Sequence, residues 1–587
     1  MKKTYLLLFL FVLSACVKTN KEQNQSSDIP NIILIMADDQ GWGDLESSGN
    51  KNIKTPNIDL LSSEGVSFVN FYVQPVCSPT RAELLTGIQY PKLGVYDTSA
   101  GGERMNLGTP TLAEALIEEG YVTAAYGKWH NGMQPPYHPN SRGFTDFYGF
   151  TSGHWGNYFS PMLEHNGELV EGKGFLVDDL TQRGIDFIEQ NKNRPFFLYL
   201  PYNTPHSPMQ VPDKYWDAFK EKDLTSKYQD QEKEDVEFTK AALAMVTNID
   251  DNVGRVLRKV ASLGLSENTI IIYLTDNGPN SYRYNGGMRG RKGSVDEGGV
   301  RSPFFIRWES KLQKGKIIEP IASVLDIMPT LLSIVRKESI TPSSFDGIDL
   351  SPLLFKENPT WKDRLLFHHW NGKTSVRTEN YRLDNENRLY HIKEDRGQRT
   401  DRSSEFPEIT ESLIAQKKSW LRETEPSMAD DRPFTLGYPE AIYTQIPARD
   451  GIASGSIKRS NRWPNDSFFT NWKNVKDSIS WDVEVLSAGT YEVEVYYTCP
   501  KSAIGSNLSL THGKNELSTP ISASHNPPLK GMENDRVPRM ESYVKDFVSL
   551  KMGRIQLQKG RHPLSLKLAS LNGSAGPDIR LLLFKKL

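Results

Sequence analysis

The chain has 587 residues, more than one compact domain of ordinary size, so two or three domains are expected. Its 70 basic and 72 acidic residues leave a net charge of −2, which excludes the broad basic surface that nucleic acid would need, so no nucleic-acid partner is expected. With 37% hydrophobic residues and a mean hydropathy of −0.52 the surface is polar, and any anionic ligand must be met by a few local cations.

Lys2 and Lys3 precede an apolar run over residues 5–13, and Leu13-Ser14-Ala15-Cys16 looks like a bacterial lipobox. Residues 1–16 then read as a lipoprotein signal and 17–28 as a polar tether, with Cys16 as the lipid anchor. The alternative is an ordinary cleaved signal with an incidental Cys16. The run is too short to span a bilayer. An exported, membrane-anchored protein in the periplasm or on the outer-membrane surface is expected. Besides Cys16 only Cys77 and Cys499 exist, so this is no disulfide scaffold.

Residues 31–37 form an unbroken apolar run of the kind buried in a parallel sheet, and it ends in Asp38-Asp39. Open α/β sheets hold ligands at such strand ends, and two adjacent carboxylates repel unless a cation lies between them. Helix caps are the plainer reading. Helices are expected at 57–62 and, with a capped start at Thr111, at 111–119. Between them Cys77-Ser78-Pro79-Thr80-Arg81 places a cysteine just ahead of a helix N-terminus, a natural seat for an anion. A structural cysteine in a turn is the competing reading.

A strand at 121–126 leads to Lys128 and His130, which an extended segment would point to one side. A strand at 195–201 runs into His206, bracketed by Pro205 and Pro208. A long amphipathic helix at 236–263 and a third buried strand at 269–275 follow, the latter ending in Asp276-Asn277. A Gly/Arg-rich loop then carries Lys292, Glu297-Gly298-Gly299 follows, and residues 304–308 return as a strand.

Taken together, Asp38-Asp39, Cys77-Ser78-Pro79-Thr80-Arg81 with Thr86-Gly87, Gly127-Lys128-Trp129-His130, Thr204-Pro205-His206, Asp276-Asn277-Gly278 and Lys292-Gly293 with Glu297-Gly298-Gly299 resemble the formylglycine-dependent (type I) sulfatases of the alkaline phosphatase superfamily. The pieces occur in the family's order over roughly residues 30–401. Small departures are Thr80, Asn131 and Arg291. The resemblance implies an α/β fold with a large mixed, mostly parallel sheet flanked by helices, closed by a small antiparallel subdomain. It also implies that Cys77 is converted to formylglycine by a formylglycine-generating or anaerobic sulfatase-maturating enzyme. One Ca2+ would be held by Asp38, Asp39, Asp276, Asn277 and position 77, all-oxygen ligation favouring Ca2+ over Zn2+. Arg81 would stabilise the diol, Lys128 and Lys292 would neutralise sulfate oxygens, His206 would protonate the leaving alcohol, and His130 would take a proton during release. A formylglycine phosphonate or phosphodiester hydrolase is the runner-up, disfavoured by Asp276-Asn277 where those enzymes usually carry Asp-His. An inactive glycan-binding surface lipoprotein is the third reading.

The catalytic domain is placed at 29–335 and its C-terminal subdomain at 336–430. A late helix is expected at 321–334, short strands within 365–399, and a helix at 408–421. His368 and His369, adjacent on a strand, should point to opposite faces, one packed and one exposed. From Gly437 strand alternation takes over, as in Tyr491, Val493, Val495 and Tyr497, and predicts an accessory β-sandwich over 437–587. Trp463, Phe468, Phe469, Trp472 and Trp481 would either stack on sugars or fill that core or the interdomain seam. A sulfated carbohydrate substrate fits this architecture, an extracellular polysaccharide such as algal ulvan, with Arg104, His154, Trp155, His165, Tyr282 and Arg283 as candidate sugar contacts.

Overall fold

The computed structural model describes residues 29–338, 344–427, 431–464 and 466–587, so the signal-like segment with Cys16 and the tether lie outside it. Ten strands make the main sheet: β1 Asn31–Asp38, β2 Val66–Phe68, β3 Val122–Lys128, β4 Asp146–Phe150, β5 Met162–His165, β6 Glu168–Glu171, β7 Phe196–Pro205, β8 Thr269–Thr275, β9 Phe304–Arg307 and β10 Lys316–Ile318. Their order is β10-β2-β9-β8-β1-β7-β3-β4-β5-β6. The central run β8-β1-β7-β3-β4 is parallel, and the flanking strands add antiparallel pairs.

Strand β1 shows why this sheet is buried on both sides. Ile33, Ile35 and Ala37 join one apolar cluster, under the helices Leu176–Gln190 and Val236–Ser262. Ile32, Leu34 and Met36 join the opposite one, which includes the helices Cys77–Thr86 and Ile327–Arg336. The two-residue strand period sends alternate side chains to each layer, and each buried Ile or Leu contributes roughly 1.5–3 kcal/mol.

Several local expectations shift. Strand β7 continues past residue 201 to Pro205, paired with β1 up to Asp38, so His206 follows the strand directly. The late helix opens only at Ile327, after a short strand and a tight turn in which the Ser323 amide donates to Asp326 Oδ2 at 2.7 Å. The four strands Leu366–Trp370, Lys373–Arg377, Tyr381–Leu383 and Leu389–His391 form the small antiparallel sheet. Its helix spans Pro407–Thr424. Both His368 and His369 are buried, against the expectation of one exposed ring. The reason is that both faces of this sheet are covered: Trp420 of that helix packs on His369, and Tyr72 of the catalytic domain packs on His368.

The C-terminal part folds into two six-stranded sheets around a shared apolar core. Its first strand, Phe434–Leu436, lies ahead of Gly437 and pairs parallel with Ser478–Val485. Phe469, Trp472 and Trp481 are buried in that core, so the core-filling reading holds for them; Phe468 is buried outside it against Phe547, and Trp463 is 43% exposed. A sandwich loop reaches back to the catalytic domain: Glu541 accepts from Ser207 Oγ, and Arg539 donates to the Gly156 carbonyl at 2.5 Å. Among the described residues no helix is long and apolar enough to cross a membrane.

Candidate active site

The parallel strands deliver their carboxyl ends to one place. Ala37 of β1 is level with Thr275 of β8, and Asp38 is level with Pro205 of β7. Asp38-Asp39, Asp276-Asn277 and His206 therefore emerge side by side, at the edge where open α/β sheets bind ligands. Lys128 ends β3, the next strand over. Cys77 arrives from above the sheet as the first residue of its helix, with Val76 as the extended residue before it. Asp38, Cys77 and Asp276 each bring one ligand atom within 4.8 Å of the others, as do Asp38, Asp39 and His206.

Cations tie the carboxylates. Arg81, one turn along the helix from Cys77, donates from Nε (3.1 Å) and Nη2 (2.8 Å) to Asp276 Oδ2 and from Nη1 (2.8 Å) to the Lys128 carbonyl. Lys128 Nζ donates to Asp38 Oδ2 at 2.6 Å, and Lys292 Nζ stands 2.7 Å from Asp39 Oδ1. Asn277 Nδ2 also donates to Asp39 Oδ1, at 2.8 Å. Burial would raise the Asp39 carboxyl, but Lys292, His206 and Lys128 together hold it well below the usual carboxylate range. Asp276 moves the other way, up to about 6, through burial and the facing charge of Asp38.

The two histidines present opposite ring nitrogens. His206 Nδ1 lies 2.7 Å from the Ser207 carbonyl, so it carries the proton and leaves Nε2 facing Asp39 Oδ2 at 3.7 Å. Burial and the charge of Lys292 lower this imidazole to about 4. His130 Nε2 donates to the Thr98 carbonyl at 2.8 Å, and its buried Nδ1 has no partner and is free to accept a proton. His130 sits at φ +68°, outside extended geometry, so the two-residue alternation expected of Lys128 and His130 does not apply. Its ring lies against Gly153, where a Cβ would fall 2.1 Å from Nε2.

The donor set suits a hard divalent cation. Asp38 Oδ1 and Asn277 Oδ1 are buried oxygens without a hydrogen-bond partner, and beside them burial and the facing Asp38 raise Asp276. Such a group fits this site on those observations. Cys77 itself is a poor thiolate here: burial pushes its thiol up, against the pull of Lys128 and Lys292.

With the geometry in place, comparison decides the family. The profile of the family described as "Sulfatase" matches residues 30–336. The chain belongs to the sulfatase family. It is a type I sulfatase of the alkaline phosphatase superfamily and a sulfuric ester hydrolase. It is 32% identical to N-acetylgalactosamine-6-sulfatase of Mus musculus over 376 residues, 58% of this chain and 68% of that protein. Human arylsulfatase A is also 32% identical, over 397 residues, covering 60% of this chain and 74% of the other. Among solved structures, Ps i-CgsB in complex with k-i-k-neocarrahexaose superposes with a TM-score of 0.60 at 31% identity, covering 67% of this chain and 92% of that one.

The candidate sugar contacts of this sulfatase separate. His154 is buried with its ring 5.5 Å from that of His206 and both nitrogens unpartnered, and Tyr282 lines the cleft beside Lys292. The others are held elsewhere. Arg104 donates to the carbonyls of Gly101, Arg432 and Pro433, and Arg283 is buried behind the site, paired with Asp44 at 2.7 Å and donating to the Asp39 carbonyl at 2.9 Å. Trp155 stacks on Phe150, and His165 pairs with Asp146 at 2.8 Å. Three supporting residues escape a reading of the sequence. Asn131 donates to the Ser78 carbonyl (3.1 Å) behind Cys77, the Tyr158 hydroxyl meets the carbonyls of His206 and Ser207 (3.0 and 2.9 Å), and Glu541 arrives from the sandwich. Only the departure at Asn131 hinted at any of them.

Proposed function

We propose that this sulfatase hydrolyses sulfate esters of an extracellular sulfated polysaccharide or its oligosaccharides, using a formylglycine formed from Cys77 and one Ca2+. The observation that carries the reading is the seat of Cys77: a buried, unactivated thiol at a helix start, beside Asp38 and Asp276 and one turn from Arg81. As a thiol it has no task there; as the precursor of an oxygen nucleophile it does. The carbohydrate substrate is supported by the names of the relatives, an N-acetylgalactosamine sulfatase and an enzyme crystallised with a neocarrahexaose. An algal polysaccharide such as ulvan heads the substrates to try.

Formylglycine at position 77 would supply, once hydrated, the attacking hydroxyl, and Asp38, Asp39, Asp276, Asn277 and position 77 would hold Ca2+, which would supply Lewis acidity. Arg81, locked on Asp276 and the Lys128 carbonyl, presents its charge beside position 77. Lys128 and Lys292 bind sulfate oxygens, with Lys292 nearest the bridging oxygen. His206 Nε2 protonates the departing alcohol, and the negative charge of the bound ester raises the pKa of that ring toward the working range. The free His130 Nδ1 takes the proton when sulfate leaves. The lipobox-like segment motivates an exported protein anchored at Cys16, matured by a formylglycine-generating or anaerobic sulfatase-maturating enzyme.

Sulfate release from a panel of sulfated polysaccharides and oligosaccharides tests this, with Cys77→Ala as the control. Equal release by both proteins would sink the mechanism, and faster turnover of a phosphonate ester than of any sulfate ester would overturn the substrate class. Mass spectrometry of the Cys77 peptide should find an aldehyde in place of the thiol.

A further inference from the structure

We propose that the cleft beside Lys292 is a second anion subsite, in which Arg291 and Lys373 bind another negatively charged group on the same glycan chain. The inference rests on the carbohydrate reading above and adds to it a specificity for multiply charged substrate.

The cleft measures about 490 Å³ and opens directly onto Lys292. Six of its lining side chains are cationic, in a chain whose net charge is −2. Three of these are spoken for. Arg289 pairs with Asp296 (2.6 Å) and Asp384 (3.0 Å), Arg388 pairs with Asp384 (3.0 Å) and Glu386 (2.9 Å), and Lys233 pairs with Asp230 (2.8 Å). Lys292 is committed to Asp39 and the reacting centre. Arg291 and Lys373 remain, with no carboxylate partner among the described residues.

Arg291 is nevertheless held in place. Its Nη1 donates to the Asn280 carbonyl at 2.9 Å, and its guanidinium lies 5.0 Å from the ring of Tyr282. That ring is itself braced by Tyr228, 5.0 Å away. A pre-oriented guanidinium with spare N–H groups binds a sulfate or carboxylate in bidentate fashion, and the tyrosine face beside it suits a sugar ring. Lys373 stands just beyond the Asn371-Gly372 turn of the small sheet, so the catalytic domain and its C-terminal subdomain each supply one cation. Because Arg291 directly precedes Lys292, the second anion would lie next to the scissile sulfate, on the same or the adjoining sugar.

The test compares wild type with Arg291→Gln/Lys373→Gln on three matched saccharides: one monosulfated, one with a second sulfate, and one with a carboxylate in its place. Each lost charge-assisted contact should cost about tenfold, so the kcat/KM preference for the dianionic saccharides should fall about 100-fold in the double variant. A melting temperature and an aryl sulfate kcat close to wild type in the Gln variant separate lost charge from lost folding, and Lys373→Arg alone, which keeps the charge, should keep most of the preference. The two dianionic arms tell sulfate from carboxylate recognition. No dianionic preference in the wild type, or an undiminished one in the Gln variant, overturns the subsite while leaving the carbohydrate reading intact. A wild type that hydrolyses an aryl sulfate but none of the saccharides overturns both.

Discussion

Replacing Glu297 with glutamine should cost about 3 kcal/mol of stability at neutral pH and lower kcat as well. Glu297 is fully buried and gathers charge from both parts of the catalytic unit. Arg382 Nε donates to it at 3.0 Å, Arg377 Nε stands at 3.2 Å and Arg301 Nη1 at 3.5 Å, and the Tyr72 hydroxyl donates at 3.1 Å. Burial raises its pKa, yet Arg382, Arg377 and Arg301 outweigh burial and hold it at about 2, against an ordinary 4.5. That gap corresponds to about 3 kcal/mol. It agrees with the roughly 3–5 kcal/mol lost when one partner of a buried ion pair is removed. A depressed carboxylate contributes this stability in full above pH 4.5 and loses it as the pH falls toward 2. Urea midpoints of the catalytic-unit transition, read at pH 7 and again near pH 3, should therefore show a wild-type advantage that shrinks on acidification. The activity loss follows from the next residues, because the Gly278 amide, just after Asn277, donates to the Gly299 carbonyl at 2.9 Å. A difference under about 1 kcal/mol at pH 7, or one that grows in acid, would refute the reasoning.

Chelation should abolish sulfate release and Ca2+ should restore it, with a rise in melting temperature on Ca2+ addition because only the folded state holds the assembled ligands; an enzyme indifferent to chelators would remove the metal from the mechanism. His206→Gln should lower kcat by about 10²–10⁴ on sugar sulfates and far less on an aryl sulfate with an acidic phenol, since only the poor leaving group needs the proton. Equal losses on both would rule His206 out as the donor. Gly153→Ala places a methyl 2.1 Å from His130 Nε2 and should displace that ring, slowing product release while the melting temperature falls little; unchanged kcat would show that His130 is dispensable.

Much of the site is legible in the chain because its parts are local. The run Asn31–Asp38 carries its own burial on both faces, and acids or amides placed directly after such strands can only appear at the sheet's carboxyl edge. The unread features are those decided by contacts distant in sequence. Nothing around His368-His369 tells that Trp420 and Tyr72 will cover both faces of their strand. Extended alternation was a fair local inference for Lys128 and His130, yet the chain turns at His130 into a left-handed conformation, seating its ring against Gly153. The aromatic residues of the sandwich look alike in sequence, and only closure of the two sheets divides the buried Trp472 and Trp481 from the exposed Trp463. Glu541 meets Ser207 across a separation of 334 residues, which no periodicity encodes.

Charge balance in the centre carries one further consequence. Asp38, Asp39 and Asp276 bring three negative charges, and Arg81, Lys128 and Lys292 bring three positive ones, nearly all buried. A shell neutral in itself can be buried without a dication, which is why the fold is satisfied in pairs such as Lys128 with Asp38. A dication at the unpartnered oxygens of Asp38 and Asn277 would then leave two positive charges in surplus, met by the single charge of a sulfate ester together with an ionised hydroxyl at position 77, or by both charges of free sulfate. A carboxylic ester, with no anionic group to offer, would leave that surplus uncompensated. Inorganic sulfate should accordingly inhibit competitively in the presence of Ca2+, and calorimetric binding of sulfate should weaken markedly once Ca2+ is chelated. Sulfate binding of equal strength with and without Ca2+ would show that the lysines and Arg81 alone hold the anion, and that the surplus charge plays no part in choosing the substrate.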